Sequence, residues 1–167
     1  TAKEHPRLII PFFDISKKLI AFQGRAFGNE NPKYLTIKLK EDAKKIFGLD
    51  RINLQDHIYI TEGPIDSLFL DNCIAAGGAD LLFEDAPSKQ ITYIFDNEPR
   101  NLEIINRMSK VIEQGFNIVI WSSEVKEKDV NDLIMNGVSK DELLKIIKEN
   151  TYSELSALTK LTYWRKR

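Results

Sequence analysis

Two short stretches of the 167-residue chain carry acids where chemistry is usually placed. In "TEGPID" (Thr61–Asp66) a glutamate, Glu62, follows an apolar run, and Asp66 comes one helical turn later. In "IFDNEPRN" (Ile94–Asn101) Asp96 ends another apolar run, and Glu98 stands two residues on. A third stretch, "KDVNDLI" (Lys128–Ile134), holds Asp129 and Asp132 with Asn131 between them. A lone carboxylate at such a position ordinarily caps a helix or complements its dipole. Acids after three successive strand-like runs point instead to a shared site. Carboxylates brought that close cannot all stay ionised without a cation. An oxygen-only donor set suits Mg²⁺ or Mn²⁺, which keep waters and bridge to phosphates. His5, His57 and the single cysteine, Cys73, form no ligand-spaced cluster, so no zinc site is expected. Glu62 is expected to stay ionised beside the helix N-terminus at Pro64, as a metal ligand or a general base. Asp66 is read as supporting the ligands, with a first-turn helix acid as the alternative.

These acids share an edge only if the elements before them are neighbouring parallel strands. From about residue 53 onward the sequence alternates accordingly. "HIYIT", "CIAAGG" closing on Gly77 and Gly78, "ITYIFD" and "NIVIW" are short, near-continuous apolar runs, as in strands covered on both faces. Between them, "PIDSLFLDN" is expected to be a helix burying Ile65, Leu68 and Phe69. Arg100–Gln114 is expected to be a helix burying Leu102, Ile105, Met108 and Ile112, stopped by Gly115. Such alternation means βα units and an α/β fold with a mainly parallel sheet. The end is read as helical, with S-x-x-E and T-x-x-E capping boxes at Ser139/Glu142 and Thr151/Glu154. The last helix carries Leu155, Leu158 and Leu161 in register. The first fifty residues read differently. Arg7–Asp14, Lys18–Phe27 and Tyr34–Leu39 are strands, and Glu41–Gly48 a short helix.

Charge follows the same partition. Residues 1–50 hold 10 Lys+Arg against 6 Asp+Glu, residues 51–150 hold 10 against 18, and residues 151–167 hold 4 against 1. An acidic centre between basic flanks fits a metal-dependent enzyme acting on polyphosphates, as well as a solvated acidic surface. No apolar run approaches the roughly 20 residues of a membrane span, and one cysteine permits no internal disulfide, in keeping with a cytoplasmic setting.

"TEGPID" and "IFDNEPRN" resemble the Toprim fold, the metal-binding core shared by bacterial-type primases, type IA and type II topoisomerases and some nucleases. The resemblance runs from about Ile58 to about Gly137. Glu98 stands where the family usually has a second aspartate, and Asn101 where glycine is common, with asparagine expected to keep a left-handed turn possible. "KDVNDLI" is similar to the third acidic patch of primases. Ahead of it, the Gly24–Arg25 pair, Pro32–Leu35 and a lysine in "KKIFGL" (Lys44 or Lys45) resemble the basic subdomain that precedes Toprim in bacterial and phage primases. "KDVNDL" and "LTKLTYWRKR" look most like primases of tailed bacteriophages.

The resemblance implies three regions: a basic subdomain over 1–52, Toprim over 53–137 and C-terminal helices over 138–167. It implies a DNA primase, making RNA primers on single-stranded DNA with two Mg²⁺ or Mn²⁺ ions on Glu62, Asp96, Glu98 and Asp129. Asp66, Asn131 and Asp132 would support these ligands. Arg25, Lys33 and Lys44 or Lys45 would hold template or ribonucleoside triphosphate. A replicative helicase is the expected partner, no membrane is involved, and the host cytoplasm is the setting. A zinc-binding module usually precedes this region in the family. With one cysteine and Thr1 at the start, the chain is expected to be a catalytic fragment or to act with partners. A Toprim nuclease and a non-catalytic nucleic-acid-binding module are the competing readings. A topoisomerase would need a separate domain bearing a tyrosine nucleophile, for which the length leaves no room.

Overall fold

A computed structural model describes residues 6–76 and 81–166. Among the described residues, nine strands make two sheets, and four α-helices accompany them. The first sheet is a meander of β1 (Arg7–Phe13), β2 (Leu19–Ala26) and β3 (Tyr34–Lys38), antiparallel throughout. The second has six strands in the order β4-β6-β5-β7-β8-β9. Its centre is β5 (Ile58–Thr61), β6 (Cys73–Ala76), β7 (Ile91–Ile94) and β8 (Asn117–Val119), all parallel. Two-residue strands, β4 (Ile46–Phe47) and β9 (Thr151–Tyr152), close the edges antiparallel. This is the α/β class expected from the alternation.

The apolar runs serve two layers at once. Ile58, Ile60, Tyr93 and Ile118 point to one face and pack under α1 (Leu102–Glu113) and α4 (Glu154–Trp164) with Met108, Val111, Leu161 and Trp164. Ile94 and Val119, one residue out of phase, point to the other face. They pack with Leu133 of α2 (Val130–Met135) and with Leu143 and Ile147 of α3 (Lys140–Glu149). Helices on both faces explain why the strands lack polar alternation. The register pairs Thr61 with Ile94 and Ile94 with Val119, so these strands end together and deliver the residues after them to one edge.

Four local expectations are corrected. Glu41–Gly48 is not a helix. Ala43 and Ile46 are buried, Ile46 and Phe47 pair with Ala76 and Ala75, and Phe47 sets its ring edge-on to Phe12 at 5.7 Å. An eight-residue stretch gains little from helix formation, and a sheet edge outweighs it here. "PIDSLFLDN" makes only a 3₁₀ turn, Asp66–Phe69, in which Leu68 is 52% exposed and Ser67 is the buried residue. Ser67 Oγ donates to Pro64 O (2.7 Å) and accepts from Arg51 Nη2 (3.0 Å), which holds the turn without an apolar face. Thr151 lies in β9, and α4 is capped by Ser153, whose N–H donates to Ser156 Oγ (3.3 Å). The buried stripe of α4 is then Ala157, Leu161 and Trp164, while Leu155 and Leu158 are exposed. In α1, likewise, Leu102 is exposed and Ile104 and Val111 join the buried side. The glycine pair Gly77 and Gly78 lies outside the described residues. Gly115 does end α1, at φ +79°, and Ser139 Oγ caps α3 by accepting from Glu142 N–H (3.3 Å).

Candidate active site

Glu62 is the first residue past β5, and Asp96 the second past β7. Because β5 and β7 are adjacent and parallel, the two carboxylates meet. Asp96 N–H donates to Glu62 Oε2 at 3.0 Å. Asp129 arrives from the loop after β8 and caps α2, its Oδ1 accepting from Asp132 N–H at 2.8 Å. Asp66 Oδ1 accepts from Asn131 N–H at 2.9 Å, tying the turn after β5 to the start of α2. Glu62, Asp66, Asp96, Asp129 and Asn131 line one cleft of about 360 Å³. Gln23, Arg25, Lys33 and Tyr34 of the small sheet line its opposite wall. Arg25 and Lys33 each lie 5.8 Å from the centre of the Tyr34 ring.

The other candidates stand elsewhere. Glu98 does not line the cleft and is turned to Lys128 Nζ (2.7 Å) and Asn101 Nδ2 (2.6 Å). Asp132 meets Asp129 only through its backbone N–H. Lys44 and Lys45 are exposed on the link before β4 and do not line the cleft. Asn101 is extended at φ −82°, with no left-handed turn, and caps α1 by accepting from the N–H groups of Glu103 and Ile104.

Electrostatics bear the mark of crowding. Burial, then the negative charges of Glu62 and Asp129, push Asp96 up to about 7, partly offset by Lys128. Burial, then Asp129, push Asp66 up to about 6 against the Asn131 N–H. Hydrogen bonds from Lys128 and Asn101 hold Glu98 below the ordinary glutamate value. Lys128 is raised above the ordinary lysine value by Glu98 first and Asp96 second. Among the described residues no three His, Cys, Asp or Glu side chains form a ready-made metal cage. The donors nonetheless fit a hard divalent cation. They are all oxygens, and burial together with neighbouring negative charge raises two of them, Asp96 to about 7 and Asp66 to about 6.

Three residues that position this site escaped the sequence reading. Arg107 of α1 ion-pairs with Glu62 Oε1, with both side chains 19% exposed, and lies 5.4 Å from the centre of the Phe95 ring. Arg107 thus supplies the counter-charge to Glu62 that was expected from a helix N-terminus at Pro64. Only its place on the buried side of α1, beside Met108, could have betrayed it. Lys128 precedes Asp129 in the quoted motif, but nothing in its spacing told which acid it serves. Asn97, between Asp96 and Glu98, fixes the loop before α2. Its N–H donates to Lys128 O (2.6 Å) and its Nδ2 to Val125 O and Glu127 O (3.1 Å each). Trp164 Nε1 donates to its Oδ1 (3.3 Å), linking α4 to the acid turn.

Gly63 gives a direct test of this geometry. A Cβ there would clash with Asp66 Oδ2. Gly63→Ala is therefore expected to displace the Asp66 carboxylate and cost about 1–3 kcal/mol. A thermal melt should fall by about 2–12 °C.

No protein-family model matches the chain. It is 39% identical over 165 residues to the DNA primase of Enterobacteria phage T4, a match covering 96% of this chain and 48% of that protein. It is 31% identical over 163 residues to the DNA primase of Synechocystis sp., covering 86% of this chain and 25% of that one. The chain thus spans about half the length of the phage relative and a quarter of the cyanobacterial one. A DNA primase domain from Pseudomonas aeruginosa shares the fold with a TM-score of 0.69 at 21% identity, covering 89% of this chain and 52% of that one. A primase catalytic domain solved with single-stranded DNA gives 0.69 at 16% identity, covering 92% and 54%. The chain is thus homologous over nearly its whole length to part of these DNA primases, and it has the fold of a primase catalytic domain.

Proposed function

We propose that the protein makes RNA primers on single-stranded DNA, joining ribonucleotides by metal-dependent nucleotidyl transfer. The observation that carries this reading is the two-walled cleft, with carboxylates from the parallel sheet on one side and Arg25, Lys33 and Tyr34 on the other. In the reaction the primer 3′-oxygen bonds to the α-phosphorus of a ribonucleoside triphosphate, and the bond to pyrophosphate breaks. Glu62, Asp96 and Asp129, joined by Glu98, would hold two Mg²⁺ or Mn²⁺ ions. Such ions, when bound, polarise the phosphoryl oxygens and favour the ionised 3′-hydroxyl.

The remaining work falls to the chain itself. Arg25 and Lys33 neutralise template or triphosphate charge, and the Tyr34 ring between them offers a base a stacking surface. Gln23 Oε1, buried with no donor among the described residues, can accept a hydrogen bond from a nucleotide in the cleft. Asp66 holds Asn131 and with it the start of α2, while Asp132 braces Asp129. Lys44 and Lys45 would meet the template outside the cleft. On this reading residues 1–52 hold nucleic acid, 53–137 carry the metal chemistry, and 138–167 brace the acid turn through Trp164. A replicative helicase supplies the template, in the cytoplasm where the DNA is copied. No helix among the described residues is long and apolar enough to cross a membrane.

The test is primer synthesis on single-stranded DNA with ribonucleotides, with and without Mg²⁺ or Mn²⁺. Short RNA products that require metal are expected. Cleavage of labelled DNA in Mn²⁺ without nucleotides would establish the nuclease instead. DNA binding indifferent to metal and to neutralised acids, without synthesis, would leave only a binding module. Arg25→Ala is expected to weaken template binding about fivefold and reduce the salt slope by about 1, measured by fluorescence anisotropy.

A further inference from the structure

Two cations sit against the acidic wall, and they are held in opposite ways. Arg107 is mostly buried, carried by a helix, with its guanidinium over the Phe95 ring. Lys128 is carried by a loop, and its side chain is 53% exposed. Its ammonium lies between the two acids of the turn after β7, 2.7 Å from Glu98 Oε1 and 3.4 Å from Asp96 Oδ2. That is the position from which a cation serves both carboxylates. While the ammonium holds them, neither can present its full charge to an ion in the cleft.

The backbone of Lys128 does not depend on its side chain. Asn97 fixes the loop through Val125 O, Glu127 O and Lys128 O, and Asp129 is fixed separately as the cap of α2. The four-carbon stem can therefore swing out while the acids and the loop stay in place. An ion pair whose cation is half exposed is weak enough to exchange, and a divalent ion brings more charge to the same oxygens.

We propose that Lys128 holds the place of a divalent cation between Asp96 and Glu98 and is displaced when that ion binds. The ammonium offsets part of the negative charge of Asp96 and Glu98, and its displacement sets the metal concentration at which the site fills. This rests on the metal reading of the acidic edge.

Manganese binding reports it directly, by electron paramagnetic resonance of free Mn²⁺ in titrations of wild type, Lys128→Met and Asp96→Asn. Lys128→Met is expected to bind Mn²⁺ about threefold to fivefold more tightly than wild type, because no ion pair must be broken first. Its thermal midpoint is expected to fall below wild type without metal and to reach it with saturating Mn²⁺. A side chain needed only for folding would lower both midpoints. Equal or weaker Mn²⁺ binding by Lys128→Met, with wild-type binding abolished in Asp96→Asn, overturns the placeholder and leaves the metal reading standing. No binding by wild type or Lys128→Met overturns the metal reading, and the placeholder with it.

Discussion

Replacing Asp96 by asparagine should cut primer synthesis by about 10³-fold or more while leaving the thermal midpoint at or above that of the wild type. The two halves of this result have one cause. Asp96 is held near 7, far above its unfolded value, by burial and by Glu62. A carboxyl group whose folded pKa is raised binds its proton more tightly in the folded state. Between about pH 4 and pH 7 the metal-free protein therefore loses stability as pH rises. Asparagine removes the charge that causes this loss and still fills the space. Its neutral oxygen cannot replace a carboxylate under a divalent cation. Rate assays beside melts at pH 8 check both parts, and an inactive variant that melts much lower would show a structural fault instead.

Replacing Arg107 by alanine should have the largest effect on stability. The Glu62–Arg107 pair is four-fifths buried, and Glu62 also faces Asp96. Removing the guanidinium leaves Glu62 with a like-charged neighbour and no counter-ion. Breaking a buried pair from one side costs about 3–5 kcal/mol. In a domain of this size that lowers the midpoint by about 6–20 °C. Part of the loss should return in Arg107→Ala/Glu62→Gln, since the stranded charge is then gone. A urea-melt double-mutant cycle measures the coupling, and additive effects would show that the pair contributes nothing as a pair.

The sequence disclosed the fold where the signal was repeated and hid it where one residue decided. Four apolar runs without polar alternation announced parallel strands covered on both sides, and the register set their ends together. The acids after β5 and β7 were legible for the same reason: a strand end is a place that topology fixes. What defeated the reading was competition between local and distant contacts. Glu41–Gly48 looks helical until Ala75 and Ala76 offer Ile46 and Phe47 a sheet edge. Leu68 looks like half of an apolar face until Ser67, bonded to Pro64 and Arg51, takes the buried side. The counter-ions were beyond reach because an acid states its own charge but not its partner. Arg107 stands 45 residues from Glu62, and only the packed helix brings them together.

The most direct test of the acidic edge as a metal seat is calorimetric titration of Mn²⁺ at pH 6 and pH 8, in buffers of differing ionisation enthalpy. With Asp96 protonated below about 7, binding at pH 6 should release about one proton per protein, and binding at pH 8 almost none. Affinity should rise with pH across the same interval, and Asp96→Asn, lacking the carboxylate that holds the ion, should show no tight Mn²⁺ binding at either pH. Mn²⁺ binding with no proton release at pH 6, equally tight at both pH values and unchanged in Asp96→Asn, would contradict the account.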